Sequence, residues 1–148
     1  MSKPKYNLTS ISEDKLRFEF DSVGPEKTVL KVVEFEPIDE SKIYFNLALI
    51  DMDEDGNYSD NIVTDNKDTE KIFGTNAEII DYFFQEYPKS KILIVSDDIL
   101  RIRLYRMIIS NYSNEKQQNW SFFGLTDDKF EYFDKGKPYK AFMITLKN

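Results

Sequence analysis

Three of the chain's four arginines fall within six residues, Arg101, Arg103 and Arg106 in Val95-Ser96-Asp97-Asp98-Ile99-Leu100-Arg101-Ile102-Arg103-Leu104-Tyr105-Arg106. Guanidinium groups so clustered suit anion recognition, because each presents a planar fork of donors to carboxylate or phosphate oxygens. At about 100° per residue, Arg103, Arg106 and Ser110 share a narrow polar arc. Arg101 falls elsewhere, among Ile108 and Tyr112 on the apolar side and close to the positive end of a helix dipole. A cation there loses about 0.3–1 kcal/mol unless compensated. Buried without a partner it would cost several kcal/mol more. Asp97, another internal carboxylate or a bound anion could supply the partner. Asn76 poses the same problem on a second helix, in the middle of an apolar stripe, since a buried amide left unpaired costs about 1–3 kcal/mol. Arg101 and Asn76 could meet as an internal lock, or form the floor of a polar pocket with Arg103 and Arg106 at its side.

A second group is acidic. Asp51-Met52-Asp53-Glu54-Asp55-Gly56-Asn57 matches the opening of a calcium loop, where Asp51, Asp53 and Asp55 would wrap a hard cation with oxygens. The twelfth position holds Ile62 in place of a bidentate glutamate, and an apolar strand precedes the loop where a helix belongs. Asp55-Gly56 as a hairpin turn explains the same residues without a metal.

The elements that must position these groups follow from periodicity. Leu16 to Phe20 and Thr28 to Phe35 alternate apolar and polar, as half-buried strands do. Ile43 to Ile50 is nearly continuous in apolar character and reads as a central strand. Ile72, Phe73, Ile79, Ile80, Phe83, Phe84 and Tyr87 form one stripe at 3.6-residue spacing, so a helix is expected from about Asp68 to Tyr87, stopped by Pro88. Lys91 to Val95 is a short buried strand, and the arginine segment opens a helix from about Asp98 to Tyr112. Trp120 to Leu125 and Tyr139 to Leu146 return to strands. The order βββ-α-β-α-ββ implies an α+β fold: a largely antiparallel sheet of about six strands, with two helices packed on one face. Residues 1–148 are expected to form a single domain, with 1–13 a loosely held N-terminal arm.

Composition narrows the chemistry. The chain has no histidine and no cysteine. That removes histidine-based triads, imidazole acid–base steps, cysteine nucleophiles, thiolate metal sites and disulfides. No cofactor is implied, and the residue types favour a non-enzymatic role. The net charge of −7 opposes nucleic acid as a partner, although an acidic body can still carry a local basic patch. No apolar run approaches the roughly 18–20 residues of a membrane span, and 1–6 lacks the apolar core of a signal peptide. A cytoplasmic protein is expected.

Three segments carry a resemblance. They are Tyr44-Phe45-Asn46-Leu47-Ala48 with the acidic turn after it, Asn66-Lys67-Asp68-Thr69-Glu70-Lys71-Ile72-Phe73, and Arg101-Ile102-Arg103-Leu104-Tyr105-Arg106. With these the chain resembles an uncharacterised bacterial domain-of-unknown-function family of small cytosolic α+β proteins, over most of residues 16–146. The family looks like one with a Gly-Ser-Thr-type turn before the arginine helix, where this chain has Ser96-Asp97-Asp98, and with an apolar residue at the position of Asn76. The resemblance implies a fold and a bacterial origin, and no reaction.

The functional expectation is a non-enzymatic protein-interaction module, in an antitoxin-like or defence-accessory setting. Its partner would be another protein or a second copy of the chain, with exposed tyrosines, Trp120 and Phe123 as anchors. One alternative is a small-molecule or anion-binding protein or enzyme with its pocket around Arg101 and Asn76. The other is nucleic-acid binding through the arginine helix.

Overall fold

The computed structural model describes residues 4–52, 58–59, 68–117 and 119–147, with backbone alone at 58–59. It is an α+β structure of two helices and a mixed sheet. Two compact units divide the chain, Met1–Phe35 with Ala48–Glu86, and Glu36–Leu47 with Tyr87–Asn148. Among the described residues no helix is long and apolar enough to cross a membrane.

The first unit is built on β1 (Ser10–Ile11), β2 (Arg17–Val23), β3 (Thr28–Pro37), β4 (Tyr44–Met52) and β5 (Tyr58–Ser59), with the unit boundary falling inside β3 and β4. The strands run in the order β1-β2-β3-β4, and β5 pairs with β4. β2 and β3 are antiparallel, from Arg17 opposite Glu34 to Val23 opposite Thr28. Helix α1 (Thr69–Glu86) begins where the Asp68 carbonyl accepts from the Ile72 N–H. Its buried face stacks Phe83 on Phe35 at 4.3 Å and Tyr82 on Phe18 at 6.2 Å.

The N-terminal segment meets this unit at Pro4 and Tyr6. Tyr6 is buried; its N–H donates to Thr75 Oγ1 at 2.7 Å, and its hydroxyl donates to Asp68. Ser22 Oγ donates to the same Asp68 oxygen at 2.6 Å, and Lys71 sits over the Tyr6 ring at 4.3 Å. Burial, then the Asp68 hydrogen bond, raises the Tyr6 phenol above its usual pKa, so it stays a donor. A β-carbon at Gly74 would lie 2.3 Å from the Pro4 carbonyl oxygen. Gly74→Ala must therefore displace this segment, at an expected cost of about 1–3 kcal/mol for overpacking. Amide hydrogen exchange at Tyr6 checks it: protection falls steeply if the segment is shed, and unchanged protection refutes the contact.

The second unit has the strand order β4-β6-β9-β7-β8, where β6 is Lys91–Val95, β7 Trp120–Leu125, β8 Phe130–Tyr132 and β9 Ala141–Leu146. β4 and β6 pair in parallel, Phe45 opposite Ile92, while β6–β9, β9–β7 and β7–β8 are antiparallel. The largely antiparallel sheet of six strands is thus corrected to a mixed one, of nine strands among the described residues. The parallel pair arises because α1 intervenes between β4 and β6, and a crossover helix returns the chain in the same direction. Helix α2 (Ile99–Glu115) buries Tyr105, Ile108, Ile109 and Tyr112, and Tyr112 meets Trp120 edge-on at 5.9 Å.

Candidate functional site

Helix α2 starts at Asp98, whose extended backbone and carboxylate cap it: Oδ1 accepts from the Leu100 N–H at 2.9 Å. From there the sequence winds an apolar inner arc and a mixed outer one. The inner arc holds Tyr105, Ile108, Ile109 and Tyr112, all buried. The outer arc, about 120° wide at 100° per residue, carries Ile99, Leu100, Arg103, Arg106, Met107 and Ser110. Ile99 is 70% exposed, Leu100 65% and Met107 55%, and Val95 just before the helix is exposed as well. The outer arc thus mixes large exposed apolar side chains with two arginines on a face that the packing of α2 does not use.

Arg101 lies on the inner arc, half-buried. It hydrogen-bonds the Tyr105 hydroxyl one turn on. Burial pushes the Tyr105 phenol pKa up, and the charge and hydrogen bond of Arg101 pull the other way. Arg103 is exposed and Arg106 half-buried, and both line an open groove of about 450 Å³. Its other lining includes Ile102, Pro138, Tyr139 and Phe142, together with Lys140, Ser96 and Asp97. Among the described residues neither Arg103 nor Arg106 has an ion pair. Lys140 is held at 2.7 Å by Asp127, whose carboxyl it keeps below the usual range. Tyr139 closes one side of the groove because its ring packs on Gly124, where a β-carbon would lie 2.4 Å from the ring.

Asn76 belongs to the first unit, on α1. It is 6% exposed, and its Oδ1 accepts no hydrogen bond from the described residues. All groove-lining residues come from the second unit, so the groove unites Arg103 and Arg106 and not Asn76. Asp51 is buried and bound by Lys31, whose Nζ donates to both carboxylate oxygens at 2.9 Å. Asp53 and Asp55 lie outside the described residues, and among those described no cluster of acids could hold a metal. Trp120, expected as a surface anchor, is 1% exposed, with Lys116 over its ring at 5.4 Å, so it is core. Phe123 is half-buried, and Tyr132 stacks on it at 4.9 Å while remaining 74% exposed.

Sequence reasoning missed a second groove, of about 610 Å³, lined by Lys89, Lys91, Phe123, Phe130, Met143 and Thr145 among others. Alternation gave a signal for it: Trp120, Phe122 and Gly124 face α2, so Ser121, Phe123 and Leu125 must face away. The buried Lys31 was equally visible, because Val29, Lys31, Val33 and Phe35 share one side of a period-two strand.

Searches of curated proteins and of solved structures each gave no match. A family model covers residues 2–147, and on that match the chain belongs to DUF6934, a family of unknown function.

Proposed function

We propose that the protein is a binding module that engages a polypeptide through the outer arc of α2. The carrying observation is three exposed apolar side chains, Ile99, Leu100 and Met107, on the same arc as two arginines without ion pairs among the described residues. Large apolar groups rimmed by charge mark interaction surfaces, and arginine is enriched at contact hot spots. The occupant is an acidic segment with apolar side chains. Carboxylates answer Arg103 and Arg106, while Ile102, Pro138 and Phe142 in the groove accept an aliphatic or aromatic group. The absence of histidine and cysteine fits a role without group transfer.

Fluorescence anisotropy with two synthetic peptide sets tests this, one alternating Glu with Leu or Phe, the other with Lys replacing Glu. The acidic set binds and the basic set does not. Arg103→Glu with Arg106→Glu weakens the acidic set about 10- to 100-fold, since each exposed ion pair is worth about 0.2–1 kcal/mol and each reversed charge repels by a similar amount. Met107→Glu, on an exposed side chain, weakens it with no loss of melting temperature. Equal binding to both sets, or indifference to the arginine pair, refutes the reading.

A further inference from the structure

The sheet of the second unit has a face that α2 does not cover. Tyr112 packs on Trp120, so alternation along β7 sends Phe123 to the other side, opposite Met143 of β9 and Tyr132 of β8. On that side lies the groove of about 610 Å³. Its polar lining is Lys89, Ser90, Lys91 and Thr145, with no aspartate or glutamate, in a chain whose net charge is −7. Lys89 is exposed and Lys91 half-buried, and neither has an ion pair among the described residues. Lys91 Nζ already lies over the Tyr44 ring at 5.5 Å. The apolar lining includes two aromatic rings, Phe123 and Phe130, and Tyr132 backs Phe123 at 4.9 Å with an interplanar angle of 27°.

Two cations, no acid and two rings in one concavity select a planar aromatic ligand carrying a compact multiple negative charge. We propose that this groove is a mononucleotide site: the base lies against Phe123 and Phe130, and the phosphate is held by Lys89 and Lys91 with the Thr145 hydroxyl available as a further donor. The volume suits a ligand of that size, since small-molecule sites run to about 300–1,000 Å³. Rings and lysines together are the recognition chemistry of nucleotides, whose bases stack without sequence preference. A single mononucleotide, and not a strand, is the occupant. A long nucleic-acid strand would carry its further phosphates past the groove onto the acidic surface, whereas one phosphate meets only the local lysines. The site is separate from the outer arc of α2 and stands whether or not that surface binds a polypeptide.

Heteronuclear NMR titration of the full chain with AMP tests this, alongside adenosine, inorganic phosphate and oligothymidylate. AMP is expected to shift amides at Lys91, Phe123, Phe130 and Thr145 saturably, with adenosine and phosphate each much weaker. Lys89→Gln with Lys91→Gln should weaken AMP about 10- to 100-fold, from loss of charge-assisted contacts. Phe130→Leu, which keeps an apolar side chain, should weaken it about 5- to 100-fold through lost stacking. Melting temperature of each variant reports folding separately. No saturable AMP shift, or AMP binding untouched by the lysine pair in a folded variant, overturns the proposal. Oligothymidylate binding these residues more tightly than AMP overturns the mononucleotide assignment in favour of a strand.

Discussion

Lys31→Met is expected to destabilise the protein by about 3–5 kcal/mol, read as a lowered urea midpoint with unchanged slope. The lysine sits on β3 with its ammonium 2.9 Å from both oxygens of Asp51 on β4, and both residues are buried. Methionine fills similar volume, so the loss comes from removing the ammonium beside a buried carboxylate, not from a cavity. The companion variant Lys31→Met with Asp51→Leu removes both charges and should recover more than half of the loss, because an apolar pair of similar size often replaces a buried ion pair without penalty. A single-variant loss below about 1 kcal/mol would show that the pair is solvated and energetically idle, as exposed pairs are.

Trp120→Ala is expected to cost about 3–5 kcal/mol, the range for removing a large buried aromatic. Its ring lies between Tyr112 of α2 and Phe122 of its own strand, at 5.9 and 6.2 Å, so the substitution opens a cavity where helix and sheet meet in the second unit. Tyr112 would lose that edge-on ring contact, and burial already drives its phenol pKa far up. Trp120 is the chain's only tryptophan, so circular dichroism must follow the unfolding of this variant. A loss under about 1.5 kcal/mol would mean that the residues around it collapse into the space.

Periodicity made much of the fold legible. The stripe from Ile72 to Tyr87 foretold α1 to within a residue at each end, and six strands were visible as alternating or continuous apolar runs. The missed strands β1 and β8 have two and three residues, too few for a period to register, while the antiparallel return of β5 beside β4 is what a hairpin at Asp55-Gly56 implies. Sheet order was illegible for a different reason. Nothing local in Lys91–Val95 states that it will lie parallel to β4, because strand direction is fixed by the crossover and not by the strand's own side chains.

The site divides in the same way. Helical spacing separated Arg103 and Arg106 from Arg101 correctly by arc. It did not reveal that Arg101 would satisfy itself partly on Tyr105, since a neighbouring phenol competes with any carboxylate as its partner. Trp120 was misjudged because tryptophan is common both at interfaces and in cores, and only the alternation with Ser121 and Phe123 tells which side it takes. The lysine and aromatic groove needed tertiary knowledge, because Lys89 and Lys91 reach Phe123 and Phe130 only once β9 has come between β6 and β7.

That placement of β9 bears on how the chain is made. Ala141–Leu146 is the last strand in order and an inner strand in space, bonded to β6 on one side and β7 on the other. Until residue 146 has left the ribosome, β6 and β7 each present an open row of amide and carbonyl groups beside exposed isoleucines and phenylalanines. The second unit therefore closes only after β9, made later than β6 and β7, has been inserted between them. For that interval the nascent chain offers the kind of unpaired strand edge that invites aggregation or engagement by a chaperone.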